Sequence, residues 1–131
     1  MESQYFNDIA LTKHTINQMI EACELIVLWN KDVRSTDDYL LSPEGMQKMA
    51  ASCMLIESIG EGVKKIDRIM PGLLVEIAPE TPWKNIKGLR DHIAHGYFNI
   101  DADIVFDVSI NEIEPLKKEL SRILIQLSSV S

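Results

Sequence analysis

Arg90, His95 and Tyr97 stand in the segment Arg90-Asp-His-Ile-Ala-His95-Gly-Tyr97. Cleaving RNA without a metal requires a group that takes a proton from the ribose 2′-hydroxyl or returns one to the leaving 5′-oxygen. It also requires a cation to offset charge building on the phosphorane oxygens. Histidine titrates near neutral pH and suits the first task. Arginine stays charged and offers a planar fork that matches phosphate, which suits the second. The 2′-hydroxyl would restrict such a reaction to RNA and exclude DNA.

The same residues also have ordinary explanations. Cations at the C-terminal end of a helix are favoured by its dipole, Tyr97 alone reads as an amphipathic packing residue, and His14 and His92 read as surface groups. Spacing adds a geometric demand. Residues 90 and 95 lie roughly 140° apart around a regular helix, so Arg90 and His95 would not face each other along one straight helix. Either the helix ends between them, as Gly96 suggests, or a two-fold dimer gathers two copies of each in one cleft. The dimer is favoured, because isologous pairing is the commonest oligomer symmetry and would build a positive groove on an acidic protein.

Charge bears on the same question. The formal net charge is −7, which argues against avid binding to bulk nucleic acid, since phosphate contacts draw on Lys and Arg. Yet Lys84, Lys87, Arg90, His92 and His95 fall within twelve residues, so a local basic patch is compatible with the acidic whole. Lys87 is a candidate phosphate contact, and Asp91, directly after Arg90, is a candidate for holding or tuning the arginine.

The elements that position these residues are helical. Ile9, Ile16, Ile20, Cys23 and Val27 recur by three, four or seven and predict a first helix. Ser42 as N-cap and Pro43 at the first helical position predict the start of a second. Its stripe of Met46, Met49, Cys53, Ile56, Gly60, Val63 and Ile66 is the most regular in the chain. Gly60-Glu-Gly62 sits inside that stripe, follows no strand and lacks the lysine of a phosphate loop, so close helix packing is its reading. Pro71-Gly72 breaks the pattern, and Leu73 to Ile77 make one or two short turns.

Thr81 as N-cap and Pro82 then predict a helix from Trp83 to about Ala94, with Trp83, Ile86, Leu89 and Ile93 on one face. A short helix over Asp101 to Val108 and a longer one over Glu112 to Ser128 complete the chain, the latter starting near Pro115 because a proline inside it would break it. No strand alternation, internal repeat or low-complexity segment is present. The expected class is all-α, a bundle of four or five helices in one domain over residues 1–131.

Composition agrees: 131 residues, 46% hydrophobic and 25% charged, suffice for one core without disulfides. Cys23 and Cys53 fall on apolar stripes and are expected to pack in the core of a cytoplasmic protein. No apolar run approaches the roughly 20 residues of a membrane span, and neither a metal cluster nor a cofactor motif is visible.

Set beside known families, Arg90-x4-His95-x-Tyr97, preceded by Trp83-x-x-Ile86-x-Gly88-Leu89 and followed by Phe98-x-Ile100-Asp101, resembles the signature region of HepT-like HEPN proteins. Ile59-Gly-Glu-Gly62 resembles that family's Ile-Gly-Glu-Ala segment, and Ile113-Glu-Pro115-Leu116 resembles its Leu-Pro-x-Leu. The resemblance implies a homodimeric, metal-independent endoribonuclease, the toxin of a prokaryotic toxin–antitoxin pair. His95 would be its acid/base and Arg90 its phosphate-stabilising cation. It also implies a minimal nucleotidyltransferase antitoxin that silences the toxin by adenylylating the motif tyrosine, here Tyr97. Gly62, where the family has alanine, and Asp91, where it has a polar residue, depart from the pattern. The competing reading is a non-catalytic partner subunit that holds a nucleotide or RNA for a nucleotidyltransferase.

Overall fold

The computed structural model describes residues 2–93 and 99–129, and among them the chain is all-helical, with no β-strand. Three long helices, α1 (Glu2–Trp29), α3 (Pro43–Ile69) and α8 (Ile113–Ser128), form the bundle, and α1 packs against both of the others. Short segments fill the connections: α2 (Asp37–Leu40), α4 (Leu73–Ile77), α5 (Trp83–Lys87), α6 (Leu89–Ile93) and α7 (Ala102–Asp107). One core runs from Ile16 to Leu127 and includes Ile26, Tyr39, Ile56, Val63, Leu74, Trp83, Ile93 and Leu120.

α3 starts as its sequence predicts. The Ser42 hydroxyl accepts from the Gly45 amide at 2.9 Å and Pro43 takes the first turn. The helix stops at Met70, and Gly72 turns the chain with φ +80°, a conformation that L side chains rarely adopt. The first helix is longer than its stripe suggests, and its buried face is rotated: Met19, Ala22 and Ile26 are buried while Ile20 and Val27 are only partly so. Leu11, Leu25 and Leu28 leave apolar residues on the solvent side too, so periodicity alone did not single out the inner face.

At its C-terminal end α1 meets a buried polar network. The Tyr39 hydroxyl donates to Asn30 Oδ1, and Asn30 Nδ2 donates to Ser52 Oγ and to the Ile26 carbonyl, each at 2.8 Å. All three side chains are buried, so each polar atom in this set must find its partner inside the protein.

Two expectations about the later helices are corrected. The helix predicted over Trp83 to Ala94 is divided at Gly88 into α5 and α6, and the residues after Ile93 in that prediction lie outside those described. Thr81 is not the N-cap. Pro82 holds that position without a side-chain bond, and the Trp83 amide donates to the Thr81 carbonyl instead. Farther on, Asp101 caps α7 by accepting from the Ile104 amide. α7 then passes into α8 through a π turn, Val108–Glu112, in which the Ile113 amide reaches back to the Val108 carbonyl. Pro115 follows at once. It has no N–H to offer Asn111, and a widened turn there relieves the clash that proline imposes on a regular helix.

Cys23 and Cys53 are free and buried, as their stripes predict. No described helix is long and apolar enough to cross a membrane.

Candidate functional site

The described part of the site is assembled by α3, α5 and α6. Gly60 makes this possible: a methyl group there would stand 3.1 Å from the Ile86 carbonyl oxygen and 3.5 Å from that of Lys87, so α5 rests on bare α3 backbone. Gly62 does the same for the other neighbour, because a methyl there would lie 2.7 Å from Cγ and Sδ of Met19 on α1. The two glycines are packing glycines, and Met19 occupies the space that alanine would need. Trp83, buried, anchors the start of α5 by donating its indole N–H to the Ala78 carbonyl at 2.9 Å.

Gly88 then turns the chain. α6 buries Ile93, packs on α3 and exposes Arg90, Asp91 and His92. Arg90 is ion-paired through Nε with Glu57 Oε1 of α3 at 3.0 Å, with both side chains partly exposed. Lys87 is likewise paired with Asp67 of α3, Nζ to Oδ2, at 2.9 Å. Asp91, expected as the acid beside the arginine, is exposed and forms no ion pair among the described residues; Glu57 takes that place. The Cys53 thiol, one turn before Glu57 on α3, is buried. Burial pushes it up, with Glu57 adding to the shift and Arg90 opposing it.

His95 and Tyr97 lie outside the described residues, as do Gly96 and Phe98. The chain on either side is tied together, since the Asp101 amide donates to the Ile93 carbonyl at 2.6 Å. Of the proposed basic cluster, Lys84, Arg90 and His92 are exposed and Lys87 is half-buried. His14 is on the surface of α1, as expected.

Glu57 and Asp67 were not identified from sequence. Their signal is positional. Glu57, Gly60 and Asp67 step by three and seven along α3, so they share the edge on which Gly60 admits α5. Carboxylates on that edge are placed to meet the cations α5 and α6 carry. Among the described residues, no cluster of three or more His, Cys, Asp or Glu side chains is arranged to hold a metal ion.

Comparison with known proteins bears on this arrangement as a whole. The sequence profile of the family described as Ribonuclease HepT-like matches residues 16–123. The candidate RNase TTE0752 of Caldanaerobacter subterraneus subsp. tengcongensis is 29% identical over 109 residues, 83% of this chain and 90% of that protein. The candidate RNase MJ0127 of Methanocaldococcus jannaschii is 35% identical over 89 residues, 68% and 69% of the two chains. A candidate ribonuclease HepT of Thermococcus cleftensis is 26% identical over 111 residues, 85% and 94% of the two. No solved structure matches. Because the profile spans α1 from Ile16 through most of α8 and so takes in the whole α3–α5–α6 arrangement, the chain belongs to the HepT-like ribonuclease family.

Proposed function

We propose that this protein is a metal-independent endoribonuclease that acts as the toxin of a prokaryotic toxin–antitoxin pair, with Arg90 and His95 as its catalytic residues. The observation that carries this reading is the family match over residues 16–123, which contains the Arg90-x4-His95-x-Tyr97 segment. Exposure of Arg90 on α6 supports it, since a phosphate must reach the guanidinium. In this reading His95 exchanges the proton with the ribose 2′-hydroxyl or the 5′-oxygen, and Arg90 offsets charge on the phosphorane. Lys87 and Asp91 tune the approach of the backbone.

The site is completed by a second copy of the chain. Two protomers would bring two arginines and two histidines to one groove and concentrate positive charge that a single acidic chain lacks. A minimal nucleotidyltransferase acts as antitoxin and adenylylates Tyr97. The added phosphate and bulk would then stand beside a site built to receive RNA phosphate.

Expression of the chain should arrest growth, and His95→Ala and Arg90→Ala should each relieve the arrest while the purified variants keep their helical circular dichroism. Full toxicity of both variants would remove the proposed catalysts. Intact mass after co-expression with a neighbouring nucleotidyltransferase tests the tyrosine: a gain matching one or more AMP groups, abolished by Tyr97→Phe, is expected. Purified protein that binds nucleotide yet leaves RNA uncut near neutral pH would instead favour a non-catalytic partner subunit, a reading that the carboxylate-paired Arg90 and Lys87 support.

A further inference from the structure

Charge is unevenly spread along this chain. Residues 64–91 hold six of its thirteen Lys and Arg against four of its twenty Asp and Glu, so they carry +2 on a protein of −7. The fold gathers part of that excess on one face. Asp67 and Arg68 come three and four residues after Lys64 near the end of α3, which makes them neighbours on its surface, and Lys84 and Lys87 lie one turn apart on α5. The Lys87 ammonium donates to Asp67 Oδ2 at 2.9 Å and joins the two rows. At the same junction the α5 backbone rests on Gly60, with the Lys87 Cα 3.8 Å from where a methyl group would stand. Lys64 and Arg68 therefore flank the bridge from α3, and Lys84 flanks it from α5.

The cations of this cluster differ in how they are held. Lys87 is committed to Asp67, and Lys64 to Glu61 at 3.2 Å. Arg68 and Lys84 are exposed and form no ion pair among the described residues. A phosphate can engage these two without breaking an existing pair, and its counterions are released on contact. Arg90 lies farther along: its partner Glu57 precedes Arg68 by eleven residues of α3, roughly 16 Å along the helix. One phosphate cannot bridge that separation, whereas separate phosphates of one strand can.

We propose that Arg68 and Lys84, flanking the Lys87–Asp67 bridge, form a subsite for the RNA sugar–phosphate backbone away from the scissile phosphate. Contacts of this kind fix register and orientation without reading bases. They act through binding, so the chemistry at Arg90 and His95 does not depend on them. Confined to one face, they let an acidic protein hold its substrate while the rest of its surface repels bulk RNA. Lys87 tunes this approach through Asp67, by keeping the α5 and α3 cations together.

This subsite rests on the ribonuclease reading, and its test separates the two. Binding of a fluorophore-labelled, mixed-sequence 2′-O-methyl RNA, which lacks the attacking hydroxyl, is followed by anisotropy over a range of salt concentrations. Cleavage of the unmodified RNA of the same sequence gives kcat and KM. The full-length wild type is compared with Arg68→Gln/Lys84→Gln and with Lys31→Gln/Lys118→Gln, which removes the same charge from exposed positions after α1 and on α8. The first variant should raise Kd and KM several-fold and keep kcat near wild type. Its slope of log affinity against log salt should be shallower by about 0.7 for each lost contact. The second variant should keep the wild-type slope and kcat. All four positions are exposed, so circular dichroism should be unchanged in both.

Equal Kd and slope in the two double variants would overturn the subsite and leave the ribonuclease reading intact if the wild type cleaves. A fall in kcat at unchanged KM in Arg68→Gln/Lys84→Gln would overturn it as well. Binding that weakens as expected beside a wild type that cuts no RNA would keep the subsite and defeat the ribonuclease reading. Unchanged RNA binding with lost neutralisation by the nucleotidyltransferase would assign this face to that protein and overturn the RNA subsite. A wild type that neither binds nor cleaves RNA would overturn both.

Discussion

A methyl group on Gly60 would stand 3.1 Å from the carbonyl oxygen of Ile86, so α3 and α5 meet with no side chain between them. Arg90 follows that contact by only a few residues, and its ion-pair partner Glu57 precedes Gly60 by one turn. The position of the arginine therefore depends on how deeply α5 can settle onto α3.

Gly60→Ala should separate stability from site geometry. Alanine gains about 1 kcal/mol of helix propensity in α3, and the close contact with Ile86 takes back a similar amount because the facing atom is backbone. The expected unfolding free energy is within about 1 kcal/mol of wild type. α5 must move by a few tenths of an ångström, and a displaced Arg90 should show as a fall in RNA cleavage. Urea unfolding and cleavage rates measured on the same preparation check both halves.

At Gly62 the obstacle is a side chain. A methyl there would meet Met19 Cγ and Sδ at 2.7 Å, so Gly62→Ala should destabilise by about 1–3 kcal/mol through overpacking. Met19→Ala alone should cost about 2–5 kcal/mol by opening a cavity. The double variant should lose less than the sum, because the methyl added at position 62 then occupies room that the Met19 side chain has left. A double-mutant cycle by urea unfolding with coupling near zero would show that the two positions do not share that space.

Regular one-faced helices were legible in the sequence, and features made by contact between helices were not. α3 could be read from its stripe and from Ser42-Pro43 because both signals are local. α8 was equally clear, with Ile113, Leu116, Leu120, Ile123 and Leu127 buried as its spacing requires. The division at Gly88 was missed because Trp83, Ile86, Leu89 and Ile93 keep helical spacing across it, whereas the turn lies where α5 and α6 settle against α3. Arg90 was legible by residue type. Its partner Glu57 was not, because an ion pair between distant segments leaves no periodic trace.

Tyr39→Phe tests the polar network at the end of α1. The phenol is fully buried and donates to Asn30 Oδ1, whose amide group is committed to Ser52 and the Ile26 carbonyl. Removing the hydroxyl strands a buried acceptor, which costs about 1–3 kcal/mol. Asn30→Ala should cost more than Tyr39→Phe, because it also takes the donor from the buried Ser52 hydroxyl. Urea midpoints of the two variants decide this.

Stability should also fall at alkaline pH. Burial pushes the Cys23 thiol from its ordinary 9.0 up to about 12, opposed by Lys117 and reinforced by Glu24. Burial likewise raises Cys53 and Tyr39. Below about pH 9 these groups are neutral in both folded and unfolded chains, and they do not make stability depend on pH. As pH rises from there towards about 12, the unfolded chain releases the Cys23 proton while the folded chain retains it. Unfolding is thereby favoured, by up to about 1.4 kcal/mol per pH unit for one such group. Urea unfolding at about pH 7, 9 and 10 should show a progressive loss in the wild type. The slope should be shallower in Cys23→Ala once its own cavity cost is subtracted at neutral pH, and an identical slope would mean that Cys23 does not control the alkaline limb.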